Sequence, residues 1–180
     1  MKKINMSAKQ QGFSLIELMV VLVIIGVLTA IVISQFAKAA QRNRILETTG
    51  LIGTVQSTIH DVTQMDLGRV IDDELLIRSD RIAKKYINAA GDGIVTPFGG
   101  AMTLTGAAGG TQYTMTFSSM SQQACDALAN AVGMSDARQI AIGAQPALAA
   151  PITPTQIATA CVAESAVADT TYPLVITFKR

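Results

Sequence analysis

The feature that most constrains the fold of this chain is an apolar stretch near its beginning. Residues 18–33 contain no charged side chain, and the longer stretch 13–33 contains one, the carboxylate of Glu17. A helix rises about 1.5 Å per residue, so residues 13–33 would form a helix roughly 31 Å long, close to the hydrocarbon thickness of a bilayer. This stretch therefore predicts a membrane-spanning helix.

The residues on either side of this stretch predict its orientation and its fate. Lys2, Lys3 and Lys9 precede it without any acid, which places the N-terminus in the cytoplasm by the positive-inside rule and everything after Ser34 across the membrane. A secretory signal would also begin this way, but no small-x-small cleavage site follows at Ser34. We therefore expect the helix to be retained as an anchor.

Charge and composition argue against several classes of function. Without residues 1–12, 11 basic and 13 acidic side chains remain, a formal net charge of −2, and aromatic residues make up 4% of the chain. Neither an electrostatic nor a stacking surface for nucleic acid is expected. His60 is the only histidine, and no nucleophile and base accompany it. We predict a solvated side chain there, no catalytic residue, no metal site and no cofactor, and hence no enzyme.

Two cysteines, Cys125 and Cys161, lie beyond the anchor. In an exported domain they would meet an oxidising compartment, where a disulfide is the expected state. Two buried free thiols are the alternative.

Beyond the anchor, hydrophobic periodicity predicts a mixed α+β domain. Ile45, Thr48, Ile52, Val55, Ile59 and Val62 recur at steps of three and four, so the helix that starts near Phe13 should continue to about Gln64 and bury this stripe. The remaining predicted elements are one or two short helices over 72–86, a hairpin of 101–106 and 111–119, short helices over 121–132 and 153–163 separated by an irregular 141–153, and a last strand over 172–180.

Three clusters have ordinary structural interpretations. Gly91, Gly93, Gly99 and Gly100 suit turns, because a phosphate loop would need a preceding strand and a following Lys-Ser/Thr pair. Asp72-Asp73-Glu74 suits a helix N-terminus better than a calcium site. Five methionines are predicted to fill the core: Met19, Met65, Met102, Met115 and Met120.

The segment Gly12-Phe13-Ser14-Leu15-Ile16-Glu17 and the apolar run after it resemble the N-terminus of type IV prepilins and their pseudopilin relatives. The resemblance implies that a prepilin peptidase cleaves between Gly12 and Phe13 and N-methylates Phe13. It also implies that Glu17 neutralises the new N-terminus of a neighbouring subunit. Such a pair has a physical reason, since an ammonium and a carboxylate are each costly when left unpaired in a low dielectric. Many of these pilins have a proline where this chain has Ser34, which suggests a straighter helix here.

Three further segments resemble the type IVb pilins: "TPFGG" before a strand, "QACDALA" in a helix and "ITPTQIATAC" before the last strand. This resemblance implies an αβ roll, in which a long helix packs on an antiparallel sheet and a disulfide joins Cys125 to Cys161. The implied parts are a leader (1–12), the transmembrane or fibre-core half of the helix (13–34), its amphipathic half (35–65) and a globular head (66–180, together with 35–65).

The expected function is therefore that of a major pilin, a structural subunit stored in the inner membrane and polymerised into a surface fibre for adhesion, aggregation or related functions. Its expected partners are other copies of itself, the prepilin peptidase, and the assembly platform and its ATPase machinery. Two alternatives stay open: a minor pilin or type II secretion pseudopilin, and an uncleaved periplasmic binding domain anchored in the membrane.

Overall fold

The computed structural model describes residues 14–66, 68–106, 109–133, 137–167 and 171–180, and only the backbone of Ser34, Gly133 and Val167. The leader, Gly12 and Phe13 lie outside these residues. The chain divides into two compact units, Met1–Ala40 and Gln41–Arg180. Helix α1 (Leu15–Met65) is 51 residues long and begins in the first unit and ends in the second. It begins and ends within two residues of the predicted bounds.

The second unit is built on a seven-stranded antiparallel sheet. Its strands are β1 (Ile71–Asp72), β2 (Ile94–Val95), β3 (Ala101–Gly106), β4 (Gln112–Met120), β5 (Ala137–Ile142), β6 (Leu148–Ala149) and β7 (Tyr172–Lys179). Their order across the sheet is β1-β3-β4-β7-β5-β6, and β2 also pairs with β3. The last strand in the sequence, β7, therefore lies inside the sheet between β4 and β5.

Alternating side chains of the central strands form one side of the core. On β7 these are Tyr172, Leu174, Ile176 and Phe178, each at most 2% exposed. They join one hydrophobic cluster with four buried residues of α1: Leu51, Ile52, Val55 and Ile59. This helix-on-sheet arrangement confirms the predicted α+β fold with a long N-terminal helix.

The buried stripe of α1 differs in detail from the predicted one. Ile45 and Val62 are only half-buried, whereas Thr58 and Thr63 are buried together with the predicted Thr48. Buried threonines are tolerated because each hydroxyl donates to a carbonyl one turn earlier, as from Thr48 to Arg44 at 2.7 Å and from Thr58 to Thr54 at 2.8 Å. The stripe is thus partly polar without leaving an unsatisfied group.

Four more helical segments surround the sheet's core: α2 (Asp73–Arg78), a 3-10 turn (Lys84–Tyr86), α3 (Gln122–Gly133) and α4 (Pro154–Val167). Asp72 caps α2 by accepting from the Leu75 amide at 2.8 Å, and Ser121 accepts from the Ala124 amide at the start of α3 at 3.4 Å. At the start of α4, Thr153 and Gln156 form a reciprocal capping box, with contacts of 2.9 and 3.4 Å.

A disulfide joins Cys125 of α3 to Cys161 of α4, whose Cα atoms are 6.0 Å apart. Both cysteines are fully buried, so the bond lies inside the packed layer of the two helices. The pairing implied by the type IVb resemblance is confirmed.

Candidate assembly site

The N-terminal half of α1 has an apolar surface on every side. Its large hydrophobic side chains from Leu15 to Ile33 are between 45% and 77% exposed. In the part of the chain that the structure describes, this is the one helix long and apolar enough to cross a membrane. Contiguous apolar surface of this extent marks a region covered by lipid or by protein.

The local sequence explains why this half is helical. It contains no proline, and its polar residue Thr29 donates its hydroxyl to the Ile25 carbonyl at 2.7 Å. A polar group in a segment surrounded by apolar groups needs a hydrogen-bond partner within its own helix, because no water is there to replace a missing hydrogen bond. A Cβ added at Gly26 would meet no atom within 4 Å outside the neighbouring helix backbone, so this glycine is not required by close packing within the subunit.

Glu17 lies in the first turn of α1, and its side chain is exposed. Its amide donates to the Ser14 carbonyl at 3.0 Å, so the carboxylate is attached to ordered helix. Among the described residues, no cation lies within 4.0 Å of that carboxylate. The predicted partner, a neighbour's Phe13 ammonium, lies outside the described residues, as does the predicted cleavage site.

Three cations, Lys38, Arg42 and Arg44, follow the apolar half, and all three are exposed. No acid interrupts the chain between Glu17 and Glu47. The charged side chains therefore mark where the apolar surface of α1 ends.

The C-terminal half of α1 is fastened to the segment that follows α2. Arg81 forms an ion pair with Asp61 of α1, and Lys85 forms one with Glu47. Tyr86 adds a hydrogen bond to Glu47 at 2.9 Å. The hydrogen bonds from Lys85 and Tyr86 lower the pKa of Glu47, and the same carboxylate raises the pKa of Lys85. These exposed contacts orient the segment more than they stabilise it.

Asp72, Asp73 and Glu74 all have structural roles at the start of α2. Asp72 is its cap, the Asp73 carboxylate accepts from the Leu104 amide of β3 at 2.6 Å, and Glu74 pairs with Arg78. Burial raises the pKa of Asp73, although the Leu104 hydrogen bond opposes that shift. The three acids thus hold the α2 end of the sheet in place.

Helix α4 contains a buried acid that the sequence did not predict. Glu164 is 5% exposed and accepts from the Ala144 amide at 3.1 Å and from the Gln145 side-chain amide at 3.2 Å. The turn it holds contains Gly143 at φ +53°, where an added Cβ would lie 2.0 Å from a carboxylate oxygen of Glu164. From sequence alone Glu164 is one acid in a short helix, and nothing marks it as buried.

Tyr172 of β7 links the sheet to the disulfide-bonded helices. Its hydroxyl donates to the Cys161 carbonyl at 3.0 Å. Burial, reinforced by the negative charges of Glu164 and Asp126, raises the pKa of Tyr172 to about 12. The phenol therefore stays protonated throughout the ordinary pH range and keeps this hydrogen bond.

The predicted methionine core is correct for three residues and wrong for two. Met102, Met115 and Met120 are fully buried in the head, whereas Met19 is 60% and Met65 is 89% exposed. Met19 lies in the apolar half of α1 and Met65 ends the helix, so neither has a core of its own to fill. His60 is exposed on α1, as predicted.

Comparisons with known proteins cover nearly all of the chain. Residues 7–33 match the prokaryotic N-terminal methylation motif, and residues 37–179 match the bundlin family model. No curated protein sequence matches the chain.

Several solved structures are similar, among them two pilins. The type IV pilin TcpA from Vibrio cholerae El Tor biotype has 14% identity and a TM-score of 0.48, covering 77% of this chain and 99% of that one. A type IVb pilin from Salmonella typhi has 19% identity and a TM-score of 0.49, covering 69% of this chain and 91% of that one.

Proposed function

Because the chain belongs to the bundlin family and is a type IV pilin most like the type IVb group, we propose that it is the major, repeating subunit of a pilus fibre. The observation that carries the proposal is the difference in exposure along α1. Its N-terminal half is exposed and apolar on all sides, while residues of its C-terminal half are buried in the head. A subunit of this form requires other molecules to cover half of its main helix.

Different molecules cover the apolar half of α1 before and after assembly. Before assembly, lipid surrounds the apolar half in the inner membrane, with the N-terminus cytoplasmic and the head on the far side. In the fibre, the same half packs against its copies in neighbouring subunits. Transfer from lipid to fibre gains less free energy than transfer from water, so close packing and specific polar contacts decide the arrangement.

Processing supplies one such contact. A prepilin peptidase would cleave between Gly12 and Phe13 and N-methylate Phe13, leaving a cation at the start of the mature chain. Glu17, in the first turn of α1, would pair with the Phe13 ammonium of a neighbour. Leaving either charge unpaired in an apolar environment is costly, so the pair fixes the axial register between subunits more than it adds net stability.

Assembly then needs further partners. The assembly platform and its ATPase machinery would extract the subunit from the membrane, and the heads would form the outer surface of the fibre. Adhesion or aggregation is the function we assign to that surface.

Mass spectrometry of sheared surface fibres tests the proposal. We expect the most abundant chain to begin at N-methylated Phe13 and to carry the Cys125–Cys161 disulfide. A chain that still carries Lys2 and Lys3 would contradict processing. A properly processed chain that is present at only a few copies per fibre would indicate a minor pilin instead.

Replacing Glu17 tests its assembly role. Glu17→Ala should be cleaved and methylated normally but should give few or no fibres, because the neighbour's ammonium would have no partner. Glu47→Gln is the matched control, since it removes a carboxylate from the same helix outside the apolar half. Normal fibre yield from Glu17→Ala would show that the pairing is dispensable.

A further inference from the structure

The head contains a groove of about 640 Å³ between the last turns of α1 and one end of the sheet. We call it the cationic groove. Its volume falls within the range of small-ligand sites, about 300–1,000 Å³. The lining residues that carry the following argument are Gln56, His60, Tyr113, Arg138, Phe178 and Lys179.

The charged side chains that line this groove, among the described residues, are all cationic. Arg138 and Lys179 are exposed at its surface, and among the described residues no carboxylate lies within 4.0 Å of either. The described part of the lining contains no aspartate or glutamate. Three cations elsewhere in the head, Arg78, Arg81 and Lys85, each form an ion pair with an acid. A concavity lined by one sign of charge concentrates the potential and attracts an anion.

The C-terminus of α1 does not account for these cations. A helix C-terminus is equivalent to about half a negative charge, and its effect falls off within the last turn. The carbonyl of Arg69, just beyond α1, already accepts from the Arg180 guanidinium at 3.0 Å. The partial negative charge at the end of α1 is therefore too small to balance the two positive charges of Arg138 and Lys179.

The remaining lining suits a ring with hydroxyl groups. The stacked rings of Tyr113 and Phe178, whose centroids are 5.4 Å apart, are among the lining residues, but at 5% and 1% exposure they offer the groove little ring surface. Gln56 and His60, on α1, add polar side chains to the lining, and the His60 ring lies 3.3 Å from the side-chain amide nitrogen of Gln64. Polar side chains and cations that line one concave site are the features that orient a small polar ligand carrying an acid.

We propose that the cationic groove binds a sugar acid, that is, a hexose-sized ring carrying a carboxylate. Arg138 and Lys179 would contact the carboxylate, and Gln56 and His60 would contact ring hydroxyls. This inference goes beyond the proposed function, because it concerns the head of a single subunit and does not depend on assembly into a fibre.

Titration of the full chain with D-glucuronate tests the proposal. The chain is kept in micelles of a polyoxyethylene detergent, which has no sugar headgroup, at low ionic strength, and binding is followed by calorimetry. We expect saturable binding that weakens about tenfold in Arg138→Gln or Lys179→Gln, the low end of what a hydrogen bond to a charged group contributes. Lys84→Gln, which removes an exposed charge outside the groove, is the matched control and should bind as the parent does.

Two neutral or smaller probes separate the parts of the ligand. D-Glucose, which lacks the carboxylate, and acetate, which lacks the ring, should each bind much more weakly than D-glucuronate. Absence of saturable D-glucuronate binding would overturn the proposal, as would unchanged binding by both groove variants or an equal loss in Lys84→Gln. Acetate binding as tight as D-glucuronate binding would overturn it too, because the groove would then hold any small anion.

Discussion

The two halves of α1 are both helical, but the first exposes its apolar side chains and the second buries them. From Leu15 to Ile33 the large apolar side chains are at least 45% exposed, whereas Leu51, Ile52, Val55 and Ile59 are at most 4% exposed. The first half has the more hydrophobic sequence, yet it has no partner within the described chain; the second half carries threonines and charges and is packed. Hydrophobicity alone therefore does not determine what a helix packs against, because the rest of the chain must supply a complementary surface.

The comparison separates two kinds of stability. Substitutions in the head should change the unfolding of a single subunit, while substitutions in the apolar half should change insertion or assembly. The following four predictions test that separation.

Loss of the disulfide should have a large effect on the head alone. In the chain-entropy model, a cross-link over the 36-residue separation of Cys125 and Cys161 stabilises by about 4 kcal/mol. Urea unfolding of the double variant Cys125→Ala/Cys161→Ala should show this loss, with membrane insertion of α1 unchanged. A loss of insertion would show that the two halves are not independent.

Two identical substitutions within α1 sharpen the contrast. Ile52 is 1% exposed and Ile24 is 52% exposed. Ile52→Ala should lower the free energy of unfolding by roughly 2–5 kcal/mol, because it leaves a cavity in the core. Ile24→Ala should change head unfolding in detergent by less than about 0.5 kcal/mol, as is usual for exposed sites. Equal effects, measured by urea unfolding of both variants, would contradict the division of the helix.

A smaller effect is expected in the turn held by Glu164. Gly143→Ala places a Cβ at positive φ and against the Glu164 carboxylate, and it should cost about 1–3 kcal/mol. Gly91→Ala is the matched control, since Gly91 also has positive φ but no atom within 4 Å of the added Cβ. The two variants are compared by thermal unfolding. If they lose equal stability, the contact with Glu164 contributes nothing beyond backbone strain.

The smallest effect is that of Tyr172→Phe, which removes the hydrogen bond to Cys161 and should cost about 0.5–1.5 kcal/mol near neutral pH. The pKa of Tyr172 is raised to about 12 in the folded head. An unfolded tyrosine loses its proton near pH 10, so the free energy of unfolding of the parent should fall as pH rises from about 10 to 12.

Tyr172→Phe should lack this part of the alkaline decline. Urea unfolding at pH 8 and pH 11 would measure it, and an identical decline in parent and variant would contradict the assigned pKa.

Much of this fold follows from local pattern. The steps of three and four along α1 predicted its length, and the alternation in β3, β4 and β7 predicted strands that the structure contains. Strand β5 was missed. In its sequence, ARQIAI, the neighbouring residues Arg138 and Gln139 are both exposed, and the pairing with β7 shifts register between Ala137 and Gln139. The alternation of buried and exposed residues that identifies a strand is therefore broken within β5.

The candidate sites also divide into those that a local sequence pattern indicates and those that only the fold brings together. Glu17 stands out in the sequence as an isolated acid in an apolar run, and its assembly role stays a prediction; Cys125 and Cys161 stand out as the only two cysteines in the sequence. Glu164 and the lining of the cationic groove were missed for a different reason. His60, Arg138 and Lys179 come from α1, β5 and β7 and are adjacent only in the folded head, so no local spacing connects them.

The inner position of β7 has a kinetic consequence. Its pairing with β4 joins residues as far apart in sequence as Gln112 and Lys179, and in the described sheet β5 reaches β4 only through β7. The sheet therefore cannot be completed until β7 has been synthesised. Long-range pairings of this kind close slowly, which leaves β4 and β5 as open edges in the interval. The subunit would spend that interval tethered by α1, where its neighbours are lipids and not other nascent sheets.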